Sequence, residues 1–476
     1  MQVEARCERW LAFIASTAAY VLAGCGGEPV AGIEGSGVQG PAAITSVGTI
    51  SGFGSIIVGG VEYTTSNAQI RIDDQPAAES QLHVGDIVTI TGTVNADGTT
   101  GTANEVTFSS DVRGAISQVS VAQQSFVVLG QTVHVTGDTL FDQNLPTPNL
   151  SGLSIGINVQ VSAFTDAAGD LVASRIDLAS TKAELQVRGI VNSLDTAART
   201  FDLNALTVDY SSAAVSGVLS NGGNVILQAS TLSAAGVLVA TRVTAAPSVA
   251  GNANERGHLD GLITDFVSNS EFTVDGQRIA TNADTHFVLH GIALGPDVEV
   301  KVQGTFDASG ILVASMVEIK QKATGLALGS VDSADSVGHS LSVLGVAVTT
   351  SDTTVFEDRS SANERTLKLA NIRTGDYVEI RSASDLATGA LGATRVIRRE
   401  PNQGSSIEGA VSNVSAPAFV VLGVSVMTNS KTRFLGPAGG ATDAAAFFSV
   451  ISNKRVKVRG TVSGATLVAD EVQLWR

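Results

Sequence analysis

Apolar and polar residues alternate along most of this chain in short runs, and glycine-containing turns separate the runs. The stretch from Val298 to Ile319, VEVKVQGTFDASGILVASMVEI, shows the unit. Side chains alternate faces along a strand and glycine beside a small polar residue supplies the turn, so this stretch predicts a β-hairpin. The same phrase recurs. An alternating run with a glycine opens each copy: VGTISGF from Val47, VRGAISQV from Val112, VRGIVNSL from Val187, LDGLITDF from Leu259, ATGLALGSV from Ala323 and IEGAVSNV from Ile407. The opening glycines Gly48, Gly114, Gly189, Gly261, Gly325 and Gly409 lie 64 to 84 residues apart. A second strand follows, carrying Phe126, Phe201, Phe272 and Phe419 at one repeat position, with Leu341 there in the fifth copy. A third ends on an apolar residue, often after threonine, as at Thr139, Thr285, Thr354 and Thr432. A variable connection then leads to a closing pair of strands.

Five ordered elements in six copies predict an internal repeat. Five strands with a longer excursion between the third and fourth match the oligonucleotide/oligosaccharide-binding (OB) barrel, a five-stranded Greek-key barrel. An immunoglobulin-like sandwich needs more strands and more residues per copy. The expected fold class is all-β, a tandem array of six small OB-like barrels at residues 47–108, 112–178, 187–245, 257–319, 323–399 and 407–476. Short linkers predict an elongated string of beads, joined most loosely between the third and fourth. In the sixth copy the third-to-fourth connection, TDAAAFFSVI from Thr442, has helical composition with threonine as N-cap. The phenylalanines are expected to plug the barrels.

The first residues depart from this pattern. Arg6 and Arg9 precede the apolar run Leu11–Gly24, which reads as a secretory signal peptide over residues 1–24. The run ends Leu22-Ala23-Gly24-Cys25, which resembles the bacterial lipobox. That resemblance implies cleavage before Cys25 and a lipid on its sulfur, with Gly26 favouring the outer membrane. Residues 25–46 carry the lipidated cysteine and a glycine- and proline-rich tether. Cys7 and Cys25 both precede the repeats, so no disulfide can staple a barrel and folding is expected to rest on apolar burial.

The phrases from Gly48 to Asp74 and from Leu82 to Val106, with glycine-phenylalanine-glycine-serine at Gly52 to Ser55, resemble the bacterial family called domain of unknown function 5666. The resemblance extends more weakly over residues 47–476. It implies an exported protein with tandem copies, and carries no catalytic residues.

Net charge is −16, so nucleic acid, which needs a basic face, is not an expected partner. Arg455, Lys457 and Arg459 share one strand face and form a candidate stripe for an anionic polymer. His286 and His290 are spaced like ligands, but four residues on a strand span about 13 Å, too far to share a metal. No metal, cofactor or catalytic residue is expected; the chain has no GxSxG elbow or phosphate loop. The leading functional expectation is a lipid-anchored, non-catalytic envelope protein acting as a scaffold, spacer or binding array. A surface lipoprotein that binds carbohydrate or anionic polymer is the alternative, and a hydrolase with its site in one variable loop a further one. The expected partners are the membrane, through Cys25, and an envelope polysaccharide or protein.

Overall fold

The computed structural model describes residues 40–245, 251–384, 391–401, 404–437 and 440–474. The expected signal peptide and lipobox, with Leu22, Ala23, Gly24 and Cys25, lie outside these residues.

Each repeat closes on itself in one way. In the first, the opening strand Ala42–Gly52 pairs antiparallel with the second, Ile56–Val58, and with the fourth, Ile87–Val94. The second pairs with the third, Val61–Thr64, and the fourth with the fifth, Thr100–Phe108. The third then meets the fifth in parallel and completes the ring in the order 1-2-3-5-4-1. The other five repeats follow the same order, with the opening strand of the third broken into Leu185–Ile190 and Asn192–Asp195. This is the expected OB-like barrel. Residues 42–46 belong to the opening strand, so the tether ends earlier than the sequence suggested.

Closing so small a ring needs strong bending, and the sequence supplies it. The register slips between the fourth and fifth strands in every repeat, once in five of them and twice in the third, which marks β-bulges. In three repeats glycine holds the bulge, and a Cβ on Gly92, Gly304 or Gly460 would lie 2.0–2.2 Å from a carbonyl of the fifth strand. The ring interior is filled from alternate positions. Phe126, Phe201, Phe272 and Phe419 are each 1% exposed, and Leu341 and Ile56 take the place in the fifth and first repeats.

The recurrent threonines have a mechanical role. After the third strand the chain makes a short turn and resumes alongside the fifth, still parallel to it. Thr139, Thr285, Thr354 and Thr432 each donate a hydroxyl bond of 2.6–2.7 Å to an alanine carbonyl of the fifth strand: Ala173, Ala314, Ala393 and Ala469. Each hydroxyl also accepts a backbone N–H from three residues back, at 2.9 Å. Thr354→Val keeps the shape, removes both bonds and leaves the Ala393 carbonyl without the buried hydroxyl that donates to it. It is expected to cost about 1–3 kcal/mol, read as a lower urea midpoint at unchanged m-value.

Between the third and fourth strands lie 3₁₀ turns at Glu79–Gln81, Leu150–Gly152 and Leu369–Asn371, and in the sixth repeat the helix Ala444–Val450. Its N-cap is Asp443 rather than Thr442, because the Asp443 carboxylate accepts the Ala446 N–H at 2.7 Å. Among the described residues no helix is long and apolar enough to cross a membrane.

The fifth opening glycine also needs correction. Gly329, not Gly325, faces Val378 as Gly409 faces Val456 and Gly48 faces Val88. Leu344 packs over Gly329 just as Leu422 packs over Gly409 and Leu129 over Gly114.

The expected string of beads does not occur; residues 39–476 form one compact unit. The start of each opening strand has one edge that its own barrel does not use. Unpaired strand edges are reactive, and the array covers them in pairs. Repeats two and three join antiparallel, Val112 opposite Val187 and Arg113 opposite Gln186. Repeats five and six join in the equivalent register, Ala327 opposite Ile407 and Leu328 opposite Ser406. Repeats one and four, distant in sequence, join in parallel from Ile44/Arg256 to Val47/Leu259. Repeats three and four are also in contact, with Arg188 3.8 Å from Asp275.

Candidate functional site: the cavity between four barrels

Alternation along each opening strand puts one set of side chains inside its barrel and the other outside. At the seams the outer set is buried too, and much of it is polar: Arg113, Gln186, His258, Asp260, Ser406 and Glu408 are each at most 9% exposed. Buried charges must be paired, and here the partners come both from the same repeat and from other repeats. Arg113 pairs with Asp73 of repeat one. His258 Nε2 lies 3.0 Å from Asp260 Oδ1, and the Lys320 ammonium lies 3.3 Å from Asp260 and 3.2 Å from Glu299. Lys301, 2% exposed, reaches Asp352 of repeat five at 2.6 Å and Glu318 at 3.4 Å. Folding therefore rests on ion pairs between repeats as well as on apolar burial. Burial alone would raise the Asp260 carboxyl, but the Lys320 ammonium and the His258 ring outweigh it and hold it below the usual carboxylate range. Burial opposes the charge on Lys320, yet Asp260 and Glu299 hold its pKa above the ordinary value.

Two glycines admit these neighbours. The turn between the second and third strands places its first residue at positive φ, where Leu129, Leu344 and Leu422 stand in three repeats. In the first repeat this residue is Gly59, and a Cβ on it would lie 1.9 Å from the His258 ring of repeat four. A Cβ on Gly60 would lie 2.2 Å from the Asp352 carboxylate of repeat five.

Around this contact repeats one, two, four and five enclose a cavity of about 290 Å³. Leu140, Phe164, Val172, Ile319 and Val355 form its apolar wall, and the linker residues Lys320 and Lys322 enter from repeat four. Asp138 is fixed at its margin by the Ala323 N–H at 2.9 Å and the Thr394 hydroxyl at 2.8 Å. Arg395 donates to the carbonyls of Gly137, Asp138 and Thr139 at 3.2–3.3 Å, and burial beside other arginines lowers its pKa to about 10.

A second cleft joins repeats one, two and five. Arg365 stacks on the Phe53 ring, 3.6 Å from its centroid, and bonds the carbonyls of Glu79 and Leu82. His83, Asp86 and Asp177 converge here with donor atoms within 4.8 Å of one another, and His134, Asp166 and Asp170 do so elsewhere. Neither trio has ligand-like spacing in sequence. Arg175 holds Asp177 in a two-point contact at 2.6 and 2.7 Å, so the first trio already has its cation. Of the basic stripe, Arg455 pairs with Glu408 at 3.2 Å, Arg459 with Glu471 at 3.5 Å, and Lys457 is half-buried. His286 pairs in a strand while His290 lines the cavity between repeats one, two, four and five.

Two buried carboxyls at the junctions have raised pKa values: Asp86 at about 7 and Asp111 at about 6, against an ordinary value of 3.8. Burial is the main cause; Arg175 partly offsets it for Asp86 and Arg188 for Asp111. The unfolded chain releases these protons first, so the stability they provide is complete below the ordinary value and is lost as pH rises through about 6 and 7. Glu379 and Asp358, each held to about 2, act in the opposite sense and withdraw stability as pH falls through that range. His83, with its pKa lowered by burial, also favours higher pH but is only partly enclosed. Melting temperature is therefore expected to rise from pH 7.5 to about 5 and to collapse towards about 2. Asp86→Asn should flatten the upper slope.

Five segments, residues 43–107, 113–177, 260–318, 329–397 and 408–473, match the family described as domain of unknown function (DUF5666). The third barrel, which has the same strand order, lies outside these matches. No curated protein matches the chain. Among solved structures, a chain titled drosophila Unr CSD456 is similar at 14% identity and a TM-score of 0.13, covering 45% of this chain and 97% of its own. A likeness of that size carries no functional weight. With more than half of its length matched, the chain belongs to the DUF5666 family.

Proposed function

We propose that the protein is a non-catalytic scaffold of the bacterial cell envelope, held to the outer membrane by lipid on Cys25. The observation that supports this reading is the pairing of all six opening strands, which joins the barrels two by two within one compact unit. A platform or spacer needs its parts joined in this way. Acyl chains supply the hold, because each buried methylene contributes about 0.8 kcal/mol. The pairing of Arg455 and Arg459 with glutamates favours the scaffold over an anionic-polymer stripe. Cys25→Ser is the test. Wild-type protein is expected in the outer-membrane fraction with incorporated palmitate label, and the variant outside that fraction and without label, either unprocessed at the inner membrane or released into the periplasm. Equal fractionation of the two would end the anchor reading.

A further inference from the structure

We propose that His134, Asp166 and Asp170 of repeat two hold a divalent transition-metal ion such as zinc. The inference stands apart from the anchor and from the scaffold role. His134 ends the third strand, Gln131–His134, and the two aspartates flank the turn between the fourth strand, Asn158–Thr165, and the fifth, Leu171–Leu178. Parallel pairing of the third strand with the fifth sets His134 opposite Val172, beside the end of that turn. The donor atoms of the three side chains therefore meet, all within 4.8 Å of one another, with His134 Nε2 3.3 Å from Asp170 Oδ2. Ligand atoms about 2.1 Å from one ion stand up to about 4.2 Å apart, so small side-chain rotations seat the set.

The other repeats show that this set is not a by-product of the turn. Asp166 has a turn role: its Oδ1 accepts the N–H groups of Ala168 and Asp170 at 2.9 and 2.8 Å, as Asp307 accepts those of Ser309 and Ile311 in repeat four. His134 and Asp170 are additions to it. At the place of His134 the other five repeats carry Thr64, Asp209, Ala280, Thr349 and Met427, and among the described residues none has an acid at the place of Asp170. Only repeat two thus combines an imidazole with two carboxylates.

Two neighbouring barrels hold the turn in place. Asn204 of repeat three donates to the Gly169 carbonyl at 3.0 Å, and Asp297 of repeat four accepts the Ala167 N–H at 2.8 Å. Among the described residues neither aspartate of the set is ion-paired with a lysine or arginine. The His83 trio differs, because Arg175 stands 2.6 Å from its Asp177. The His134 and Asp170 side chains are 38% and 33% exposed, so an ion and its water ligand have access. One imidazole with two carboxylates and a water suits zinc, whereas calcium takes about six to eight oxygens.

Isothermal titration of the untagged mature chain carrying Cys25→Ser, which leaves no thiol, tests this with zinc and calcium chlorides after removal of metal by a chelator. One zinc ion is expected to bind per chain, about ten-fold or more tighter than calcium, and to raise the melting temperature. His134→Ala, with the residue native to that point of repeat four, and Asp170→Asn should each keep the wild-type circular dichroism spectrum, weaken zinc about ten-fold or more and remove the rise. His339→Ala, which removes an exposed imidazole of repeat five, should change neither. Absence of saturable zinc binding overturns the proposal. So does calcium binding of equal affinity, or zinc binding that survives His134→Ala or is lost in His339→Ala.

Discussion

Gly59→Leu is expected to destabilise the protein by about 4 kcal/mol, although leucine is the native residue at the equivalent turn position in three other repeats. Backbone strain is the smaller part, since Leu129, Leu344 and Leu422 adopt φ near +50° in their own turns. The larger part is collision. In those repeats the leucine folds over its own opening glycine, but in the first the buried His258 ring occupies that space, 1.9 Å from where Cβ would stand. The ring cannot retreat without losing its 3.0 Å contact with Asp260. Urea titration should show a lower midpoint. His258→Ala made in the Gly59→Leu background should recover much of the loss, because leucine then fills the vacated space. Strictly additive losses in the two variants would mean that the two positions do not touch.

Lys320→Met is the second large effect. Lys320 is the counter-charge for Asp260, whose side chain is 3% exposed, and for Glu299. Removing one partner of a buried pair leaves a charge that neither water nor protein answers, at a cost of about 3–5 kcal/mol. A buried carboxyl that has lost its counter-charge takes up a proton more readily, so the loss should be smaller at pH 5.5 than at pH 8. Thermal melts at the two pH values check this, and a pH-independent loss would count against the buried-charge account. Lys320→Met with Asp260→Asn should be milder than Lys320→Met alone, since the uncompensated charge has gone.

The barrel itself was legible in the chain because its causes are local. Alternation gives the strands, glycine gives the turns and bulges, and a threonine fixed in register gives the latch to the fifth strand. The phenylalanine plugs follow from the same periodicity. What the chain did not disclose is how barrels meet. Pairing of Ile44 with Arg256 joins residues more than two hundred positions apart, and no period or spacing encodes it. One signal was present. His258, Asp260, Arg113 and Gln186 stand at outward positions of opening strands, where a solvated face would be expected, and the seams bury them. The double glycine at Gly59-Gly60 was a second sign: it reads as an ordinary hairpin turn, yet its missing side chains make room for His258 and Asp352. Gly325 misled for a local reason, because two glycines share the fifth opening strand and only pairing with the fourth strand shows that Gly329 is the equivalent one.

Zero-length carbodiimide cross-linking of dilute mature protein, read by peptide mass spectrometry, tests most directly whether the array folds back on itself. Lys368 of repeat five lies 3.0 Å from Glu62 of repeat one, 306 residues away, and both side chains remain accessible. The packed array predicts an isopeptide between these two residues in monomeric protein, at a yield independent of concentration. A string of independent barrels would give cross-links only within a repeat or between sequence neighbours, and that result would contradict the account.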